Sequence, residues 1–331
     1  MLFSILIPVY NTQDFLPACL ESLDAQEFKD FEIILVNDGS TDASPSICEE
    51  FTAQHENAHV INQENKGLLL ARRAAFDKAA GDYCVCLDSD DALSPHFLAK
   101  CADAIAKTSA DIVMVSYSTK EDFSGEPKCE TFQPGLNDAA TIKRAASIGL
   151  GFELCGKIIR RACIDVLADY SQYRGLTFSE DWLQFLPIAT KAQSLFYIPE
   201  SLYFYRQHES SSTACYRKDH LTSILQTCER QKEQTRTWGE EYIEYGKIAR
   251  RKQIFNLLVN LHDAKLSADE TRAEQGRIRD ALPDFAPGDT SKPVSVVDRF
   301  ACKQIRALEK GAYSKLNRVT ALASALRKLG N

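Results

Sequence analysis

The 331-residue sequence contains no apolar run near the ~20 residues that a membrane-spanning helix needs. Its N-terminal apolar run, LFSILIPVY, lacks the basic leader and small-residue cleavage site of a secretory signal, so we interpret it as a buried strand. An excess of positive charge is also missing, because 39 Lys and Arg stand against 46 Asp and Glu. This balance argues against nucleic acid as the main partner.

Ordered cysteine spacing is a further absence. The 11 cysteines are scattered and odd in number, with no CxxC pair and no Cys/His cluster at zinc spacing. A structural zinc site and a disulfide framework are therefore not expected. The pattern favours a reduced, cytoplasmic protein in which the cysteines act mostly as small apolar core residues.

Short β-rich runs alternate with helical patterns in the first part of the chain, which predicts a parallel sheet covered by helices. From residue 118 to 137 the sequence is polar, and we expect a surface excursion followed by a helix over 138–149. The run SLFYIPESLYFYR predicts two strands around a turn at Pro199 and Glu200. After about residue 215 the pattern is helical and charged. The predicted strands in the first part are FSILIPV, FEIILVN, AHVIN, DYCVCLD and DIVMVSY.

Three carboxylates lie within four residues in the segment LDSDDALSP, directly after the predicted strand YCVC. Asp88, Asp90 and Asp91 repel one another unless water, basic side chains or a cation lies among them. An oxygen-only cluster suits a hard cation such as Mg²⁺ or Mn²⁺, although a solvated acidic turn would have the same sequence. Ligands of open α/β sheets bind at the strand ends, where Pro8–Asn11 and Asn37–Asp42 are also expected.

The ordered motifs resemble the family 2 glycosyltransferases of the GT-A fold. The resemblance is strong over residues 1–110, moderate from about 150 to 213, and absent beyond. It implies a Rossmann-like catalytic domain over 1–215, whose nucleotide-sugar-binding half is 1–110 and whose acceptor-side half is 111–215, and a helical region over 216–331. The motifs are PVYN at 8–11, VNDGSTD at 36–42, NKGLLLAR at 65–72, GDYCVCLDSDD at 81–91, SED at 179–181 and YRQHESSS at 205–212.

The resemblance implies a nucleotide-sugar site on the first half. Tyr10 and its neighbours would contact the nucleobase, and Asp38 would accept a hydrogen bond from a uracil-type ring nitrogen. Arg72 would face the ribose or the diphosphate. Asp90 would bind Mg²⁺ or Mn²⁺ directly, and His208 is either a further ligand or an ordinary loop residue. The full set of donor-side candidates is Pro8, Val9, Tyr10, Asn11, Asp38, Arg72, Asp88 and Ser89, with Asp88, Asp90 and His208 as candidate metal ligands.

The motif FSEDW resembles the family's ED motif, in which the second acid, here Asp181, is the catalytic base. The acids also fit a helix start, where they favour the positive end of the helix dipole. Glu180 is the next candidate for the base. Trp182 either stacks on the acceptor sugar or belongs to the core, and Arg206 lies either in a strand beside the site or in the site itself.

These residues predict an inverting, metal-dependent glycosyltransferase that moves a sugar from a nucleotide sugar, most simply a UDP-sugar, to a glycan or lipid-linked glycan acceptor in bacterial surface polysaccharide synthesis. One alternative is a nucleotidyltransferase that makes sugar nucleotides, but the segment PVYNTQDF has neither the glycine nor the basic residue of a triphosphate-binding loop. A second alternative is a non-catalytic binding module, which would not need the acids Asp90 and Asp181.

The last 33 residues, 299–331, differ from the rest in charge. They contain eight Lys or Arg and one Glu and so carry a charge of +7. Because the net charge of the whole chain is −7, the rest of the chain carries −14. Leucine and valine recur there at three- or four-residue intervals, which predicts an amphipathic helix with a cationic face. That helix either packs on the catalytic domain or contacts the anionic inner face of the membrane. The apolar positions are Leu308, Leu316, Val319, Leu322, Leu326 and Leu329.

Overall fold

The computed structural model describes residues 1–127, 129, 131–208, 216–291 and 293–329. In the described residues the strands are β1 Phe3–Val9, β2 Phe31–Asp38, β3 Ala58–Gln63, β4 Tyr83–Cys86, β5 Ala92–Leu93, β6 Ile112–Ser118, β7 Gly135–Asp138, β8 Lys157–Arg160 and β9 Ser194–Phe204. The α-helices are α1 Leu16–Asp24, α2 Ser44–Gln54, α3 Leu68–Lys78, α4 Phe97–Thr108, α5 Ala139–Ile148, α6 Glu180–Lys191, α7 His220–Trp238, α8 Glu240–Asp263, α9 Ala268–Asp280, α10 Leu282–Phe285, α11 Val296–Glu309 and α12 Tyr313–Leu329.

The chain divides into two compact units. The sheet unit comprises residues 1–146, 151–176 and 180–208. The helical unit comprises 147–150, 177–179 and the described residues after 208. The predicted combination of an α/β fold with a helical C-terminal region is confirmed.

The sheet unit is built on one mixed sheet. The strands lie in the order β3-β2-β1-β4-β8-β6-β9-β5, and β7 pairs with β9. From β3 to β4 all pairings are parallel, whereas β8 runs antiparallel to both β4 and β6. Every residue of β1 and β2 is buried, as expected for central parallel strands covered on both faces. The parallel pairing places the ends of β1, β2 and β4 at one edge of the sheet.

The prediction of two strands around a turn at Pro199 is wrong, because residues 194–204 form the single strand β9. Its pairing with β6 is shifted: Val115 lies opposite Ile198, and Ser116 lies opposite Ser201. Pro199 and Glu200 are therefore left out of the register, which is how a sheet accommodates a residue without an N–H group. The strand bulges there and does not reverse.

Most described residues of the polar segment over 118–137 are exposed, as the predicted surface excursion requires. Phe132 within it is only 1% exposed, and the segment ends in the strand β7. Strand β8 was also not anticipated, since its four residues, KIIR, are too few to show a hydrophobic period.

The helical unit has its own core, formed mainly by α7, α8, α10 and α11. The predicted amphipathic tail is two helices, α11 and α12, and the chain changes direction at Gly311, which has φ +61°. Leu308 and Leu316 are fully buried in this core, whereas Leu322 and Leu326 are 56% and 46% exposed. The side chain of Leu329 lies outside the described residues. No helix in the described part of the chain is long and apolar enough to cross a membrane.

Candidate functional site

The carboxylate of Asp38, at the end of β2, organises the loop that precedes α3. Its Oδ1 accepts hydrogen bonds from Gln63 Nε2 at 2.7 Å and Lys66 N at 2.9 Å, and its Oδ2 accepts one from Gly67 N at 2.8 Å. A carboxylate offers about four lone-pair sites, so one acceptor position is left after these three bonds. The side chain is 3% exposed, and a uracil-type contact by Asp38 stays a prediction.

The segment after β1 is joined to the segment after β2 through Asn11. This residue adopts a left-handed backbone, φ +53°, which asparagine tolerates better than most residues. Asn11 N donates to Ser40 Oγ at 3.1 Å, and Asn11 Oδ1 accepts from Thr41 N at 2.8 Å. Tyr10, beside it, is 50% exposed and presents its ring at this edge of the sheet.

The side chains of Pro8 and Val9 are buried within β1. Any contact of these two residues with a nucleotide must therefore use main-chain atoms.

The three aspartates of the DSDD segment have three different environments. Asp88 lies at the end of β4 and receives a hydrogen bond from Arg72 Nη2 on Oδ1 at 2.7 Å. Asp90 Oδ2 lies 2.8 Å from His208 Nε2. Ser89, between them, is 5% exposed and accepts a hydrogen bond from Thr12 Oγ1 at 3.1 Å. The acidic segment is therefore not a simple solvated turn, because each carboxylate has a specific partner.

Asp91 is the aspartate that holds this segment in place. It is 1% exposed, and it accepts hydrogen bonds from the Tyr203 hydroxyl at 2.6 Å and from Arg206 N at 2.8 Å. Burial and the neighbouring carboxylates of Asp88 and Asp90 raise the pKa of Asp91 to about 8. Sequence reasoning did not assign Asp91 this role, since its two partners lie more than 110 residues further along the chain.

Arg206 lies in the segment after β9 and contacts the DSDD segment. Its Nε donates to the main-chain oxygen of Asp90 at 2.9 Å, and its Nη1 donates to Glu121 Oε1 at 3.0 Å. The guanidinium carbon also lies 4.8 Å from the ring centroid of Phe204. Arg206 is thus beside the acidic segment, in contact with its backbone.

Arg72, on α3, connects the two halves of the predicted catalytic domain. Its Nη1 donates to Asp181 Oδ1 and its Nη2 to Asp88 Oδ1. The side chain is 1% exposed, and its Nε is buried without a hydrogen-bond partner in the described residues. A guanidinium has five donors in a rigid fork, so one Arg can hold two carboxylates at fixed positions. The structure therefore brings Asp88 and Asp181, 93 residues apart, onto one cation.

Glu180 and Asp181, the two acids of the ED motif, are the first two residues of α6. The Oδ2 of Asp181 accepts a hydrogen bond from Leu154 N at 3.3 Å. Burial raises the pKa of Asp181 above its usual range, while the charge of Arg72 acts against this rise. Burial and the adjacent Asp181 raise the pKa of Glu180 to about 7, and Arg72 again acts in the opposite direction.

Of the two alternatives for Trp182, the structure supports a core residue and not a stacking contact with an acceptor sugar. The side chain is 0% exposed, and its Nε1 donates to the main-chain oxygen of Ala146 at 2.7 Å. Its ring packs against Phe152 with centroids 5.9 Å apart. A buried indole whose N–H is already satisfied is a core residue, and it cannot present a face to a ligand.

The residues around Asp90 include groups that could bind a divalent cation. Asp90 and His208 present a carboxylate and an imidazole nitrogen in direct contact, with side-chain exposures of 29% and 18%, and Asp88 is 26% exposed. Phe15 stacks on the imidazole, with ring centroids 4.8 Å apart, and so helps to fix its position. Burial and Asp88 raise the pKa of Asp90, against the effect of His208.

No group of three or more His, Cys, Asp or Glu arranged as a complete metal site exists in the part of the chain that the structure describes. Mg²⁺ is usually held by one or two carboxylates together with substrate phosphates, so Asp90 with Asp88 or His208 fits a cation that arrives with a diphosphate. The serines at 210–212, which belong to the family motif, lie outside the described residues.

Residues 4–162 match the model of Glycosyl transferase family 2. This segment, about half of the chain, is therefore a domain of that family, as the motifs predicted.

Among curated proteins, the chain is 33% identical over 227 residues to the "Putative glycosyltransferase EpsH" of Bacillus subtilis, covering 67% of this chain and 65% of that protein. It is 30% identical over 247 residues to the "Minor teichoic acid biosynthesis protein GgaA" of the same species, covering 69% of this chain and 53% of that protein. The chain thus spans less than two thirds of the length of either relative.

Among solved structures, S. aureus TarS residues 1–349 in complex with UDP-GlcNAc has a similar fold. The TM-score is 0.71 at 19% identity, covering 100% of this chain and 93% of that one. At this identity the likeness concerns the fold alone, and it confirms the expected GT-A-like architecture.

Proposed function

We propose that this protein is an inverting, metal-dependent glycosyltransferase that uses a nucleotide sugar, most simply a UDP-sugar, to extend a cell-surface glycan. The observation that carries the proposal is the convergence of Asp88 and Asp181 on Arg72. Family membership supports the reaction class. The names of the relatives, which include teichoic acid biosynthesis, and the UDP-GlcNAc complex of TarS support the acceptor class and the donor.

The donor would lie along the shared edge of β1, β2 and β4. Tyr10 is exposed enough to pack on a nucleobase, and Asp38 retains one acceptor position for a base N–H. Asp90, with Asp88 or His208, would hold Mg²⁺ or Mn²⁺ against the diphosphate. When bound, that cation would stabilise the negative charge of the departing nucleoside diphosphate.

Asp181 would act as the base. In an inverting transfer the acceptor hydroxyl attacks the anomeric carbon from the face opposite the leaving group, so a carboxylate on that side must take the proton. A raised pKa suits this role, because a base is most effective when its pKa approaches the working pH. Arg72 would position Asp181 relative to Asp88, and thus relative to the donor.

Donor binding can be tested by thermal unfolding with a panel of UDP-, GDP- and dTDP-sugars. We expect one class to raise the Tm in the presence of Mg²⁺ or Mn²⁺ and to lose this effect in excess chelator, because a ligand at 100 times its Kd adds about 2.7 kcal/mol of stability. An assay for nucleoside diphosphate release then separates an enzyme from a binding module. Stabilisation by a nucleoside triphosphate with release of pyrophosphate would instead indicate the nucleotidyltransferase.

We further propose that the outer face of α12 contacts anionic membrane. Val319 is half-buried, Leu322 and Leu326 are more exposed, and Lys315 and Arg318 are exposed on the same helix. Two other cations of this helix, Arg327 and Lys328, are already paired with Asp263 and are less available. Each Lys or Arg near an anionic surface adds about 1 kcal/mol of binding free energy.

This contact predicts salt-sensitive cosedimentation with vesicles that contain anionic lipid. Deleting residues 299–331 is a poor test, since it removes core residues such as Ile305 and Leu316. The double variant Leu322→Gln and Leu326→Gln should abolish cosedimentation, whereas Leu167→Gln, which changes a leucine that is 90% exposed in the sheet unit, should not. The proposal would be contradicted if the double variant and Leu167→Gln cosedimented with the vesicles equally well. It would also be contradicted if the unmodified protein did not cosediment at low salt.

A further inference from the structure

The helical unit contains a cavity of about 450 Å³ that the predicted transfer reaction does not use. It lies between α8, α9 and α12, and its volume is in the range of small-molecule sites. Thr271, Arg272 and Gln275 line it from α9, and Tyr313, Ser314 and Asn317 line it from α12. Spacings of one, three and four residues place each set on one helical face, so each of the two helices presents a polar face to the cavity.

The lining contains hydroxyl and amide groups and a guanidinium, and none of the described lining residues is an Asp or a Glu. A soluble helix normally directs such a face to water, with apolar residues inward. Here the polar groups border a half-open volume of about 450 Å³, whose size and chemistry suit a polar ligand. The missing carboxylates favour an anionic ligand over a cationic one.

Arg272 is the charged group of this cavity, and its guanidinium carbon lies 5.1 Å from the ring centroid of Tyr313. Two other arginines of α9 are neutralised by neighbours: Arg277 bonds to Glu274 at 2.7 Å, and Arg279 bonds to Asp280 at 2.8 Å. No ion pair of Arg272 with a carboxylate occurs among the described residues. Its fork of N–H donors is therefore available to a phosphate or carboxylate, the groups that it matches best.

Gln275 contributes its side-chain amide to the lining of the cavity. The residue is only 5% exposed, and its Nε2 donates to Asn317 Oδ1 at 2.7 Å. Within the described structure no hydrogen bond reaches its Oε1. The oxygen is therefore an acceptor that a ligand hydroxyl can use.

We infer that this cavity binds a sugar phosphate or polyol phosphate, with the phosphate on Arg272 and carrier hydroxyls on Gln275 and its polar neighbours. The cavity is formed by residues of the helical unit alone. The inference therefore goes beyond the proposed transferase function, and it can be tested without donor, metal or turnover.

The test measures binding of glucose 6-phosphate and glycerol 3-phosphate to the full chain by titration calorimetry, with glucose and inorganic phosphate as the matched neutral and carrier-free probes. We expect at least one of the two phosphate esters to bind. Glucose and inorganic phosphate should each bind at least ~10-fold more weakly than that ester. Arg272→Gln should weaken the ester by about tenfold or more, because it removes a charge-assisted contact. Arg277→Gln, which removes the same charge from the same helix outside the cavity, should leave the affinity unchanged.

Arg272 is exposed and has no ion pair among the described residues, so Arg272→Gln should keep the Tm of the parent protein. Arg277→Gln removes the partner of the nearly buried Glu274, so binding to this variant is measured well below its own Tm. The inference is overturned if neither ester binds, or if Arg272→Gln binds the ester as tightly as Arg277→Gln does. It is also overturned if inorganic phosphate binds as tightly as the esters, since the hydroxyl and amide groups would then contribute nothing.

Discussion

Replacing Asp181 with asparagine is expected to lower kcat by ~100-fold or more while the affinity for the nucleotide sugar stays close to that of the parent protein. Asparagine is nearly isosteric, and its side-chain oxygen can still accept the hydrogen bond from Arg72 Nη1. Arg72 also keeps its contact with Asp88 at 2.7 Å, so no buried cation is left without a partner. What is lost is the capacity to take a proton, together with the 3.3 Å hydrogen bond from Leu154 N, because an amide NH2 replaces Oδ2.

The matched control is Glu180→Gln, which removes a neighbouring carboxylate from the same helical turn. We expect its kcat to fall much less than that of Asp181→Asn. If kcat fell ~100-fold in Glu180→Gln and much less in Asp181→Asn, Glu180 would be the base and Asp181 would only hold Arg72.

The pH profile of kcat gives an independent measurement. A base must be deprotonated to act, so activity is lost as the pH falls through its pKa. Because burial raises the pKa of Asp181, the acidic limb should lie above the pH at which an ordinary aspartate titrates, and Asp181→Asn should remove that limb. A limb that persists in this variant would belong to another group.

The parts of the site that the sequence predicted are those that follow from local chemistry at strand ends. Asp38, Asp88 and Asp90 each lie within three residues of the end of a hydrophobic run, and parallel pairing of β1, β2 and β4 then brings those ends together. Such residues can be found because the strand pattern and the polar residue are adjacent in the chain.

The parts that were missed depend on long-range packing. The contact between Arg72 and Asp181 was not predicted, since α6 brings Asp181 against a side chain that is 1% exposed. The expected contact of Arg72 with the ribose or the diphosphate stays a prediction. Trp182 shares a helix with Asp181, yet it points into the core because the indole N–H finds the oxygen of Ala146. No property of a single segment distinguishes an aromatic residue that faces a ligand from one that faces the interior.

Replacing Asp90 with asparagine is expected to abolish transfer and to remove the metal-dependent part of nucleotide binding. An amide oxygen is a much weaker ligand for a hard cation than a carboxylate, and His208 would then lack its anionic neighbour. The fold should persist, because Asp91, and not Asp90, accepts the buried hydrogen bonds from Tyr203 and Arg206. Nucleotide-induced stabilisation of the variant should therefore be the same with Mn²⁺, with Mg²⁺ and in excess chelator.

The matched control is Asp82→Asn, an exposed aspartate just before the opposite end of β4, which changes the net charge equally. It should retain both turnover and the metal-dependent rise in Tm with the nucleotide sugar. Chelation of the parent protein should reproduce the loss seen in Asp90→Asn, since both remove the same cation. Full parent activity in excess chelator would show that the DSDD segment does not act through a metal. The raised pKa values of Asp90 and Asp91 would then reflect a buried acidic cluster held by Tyr203, Arg206 and His208 alone.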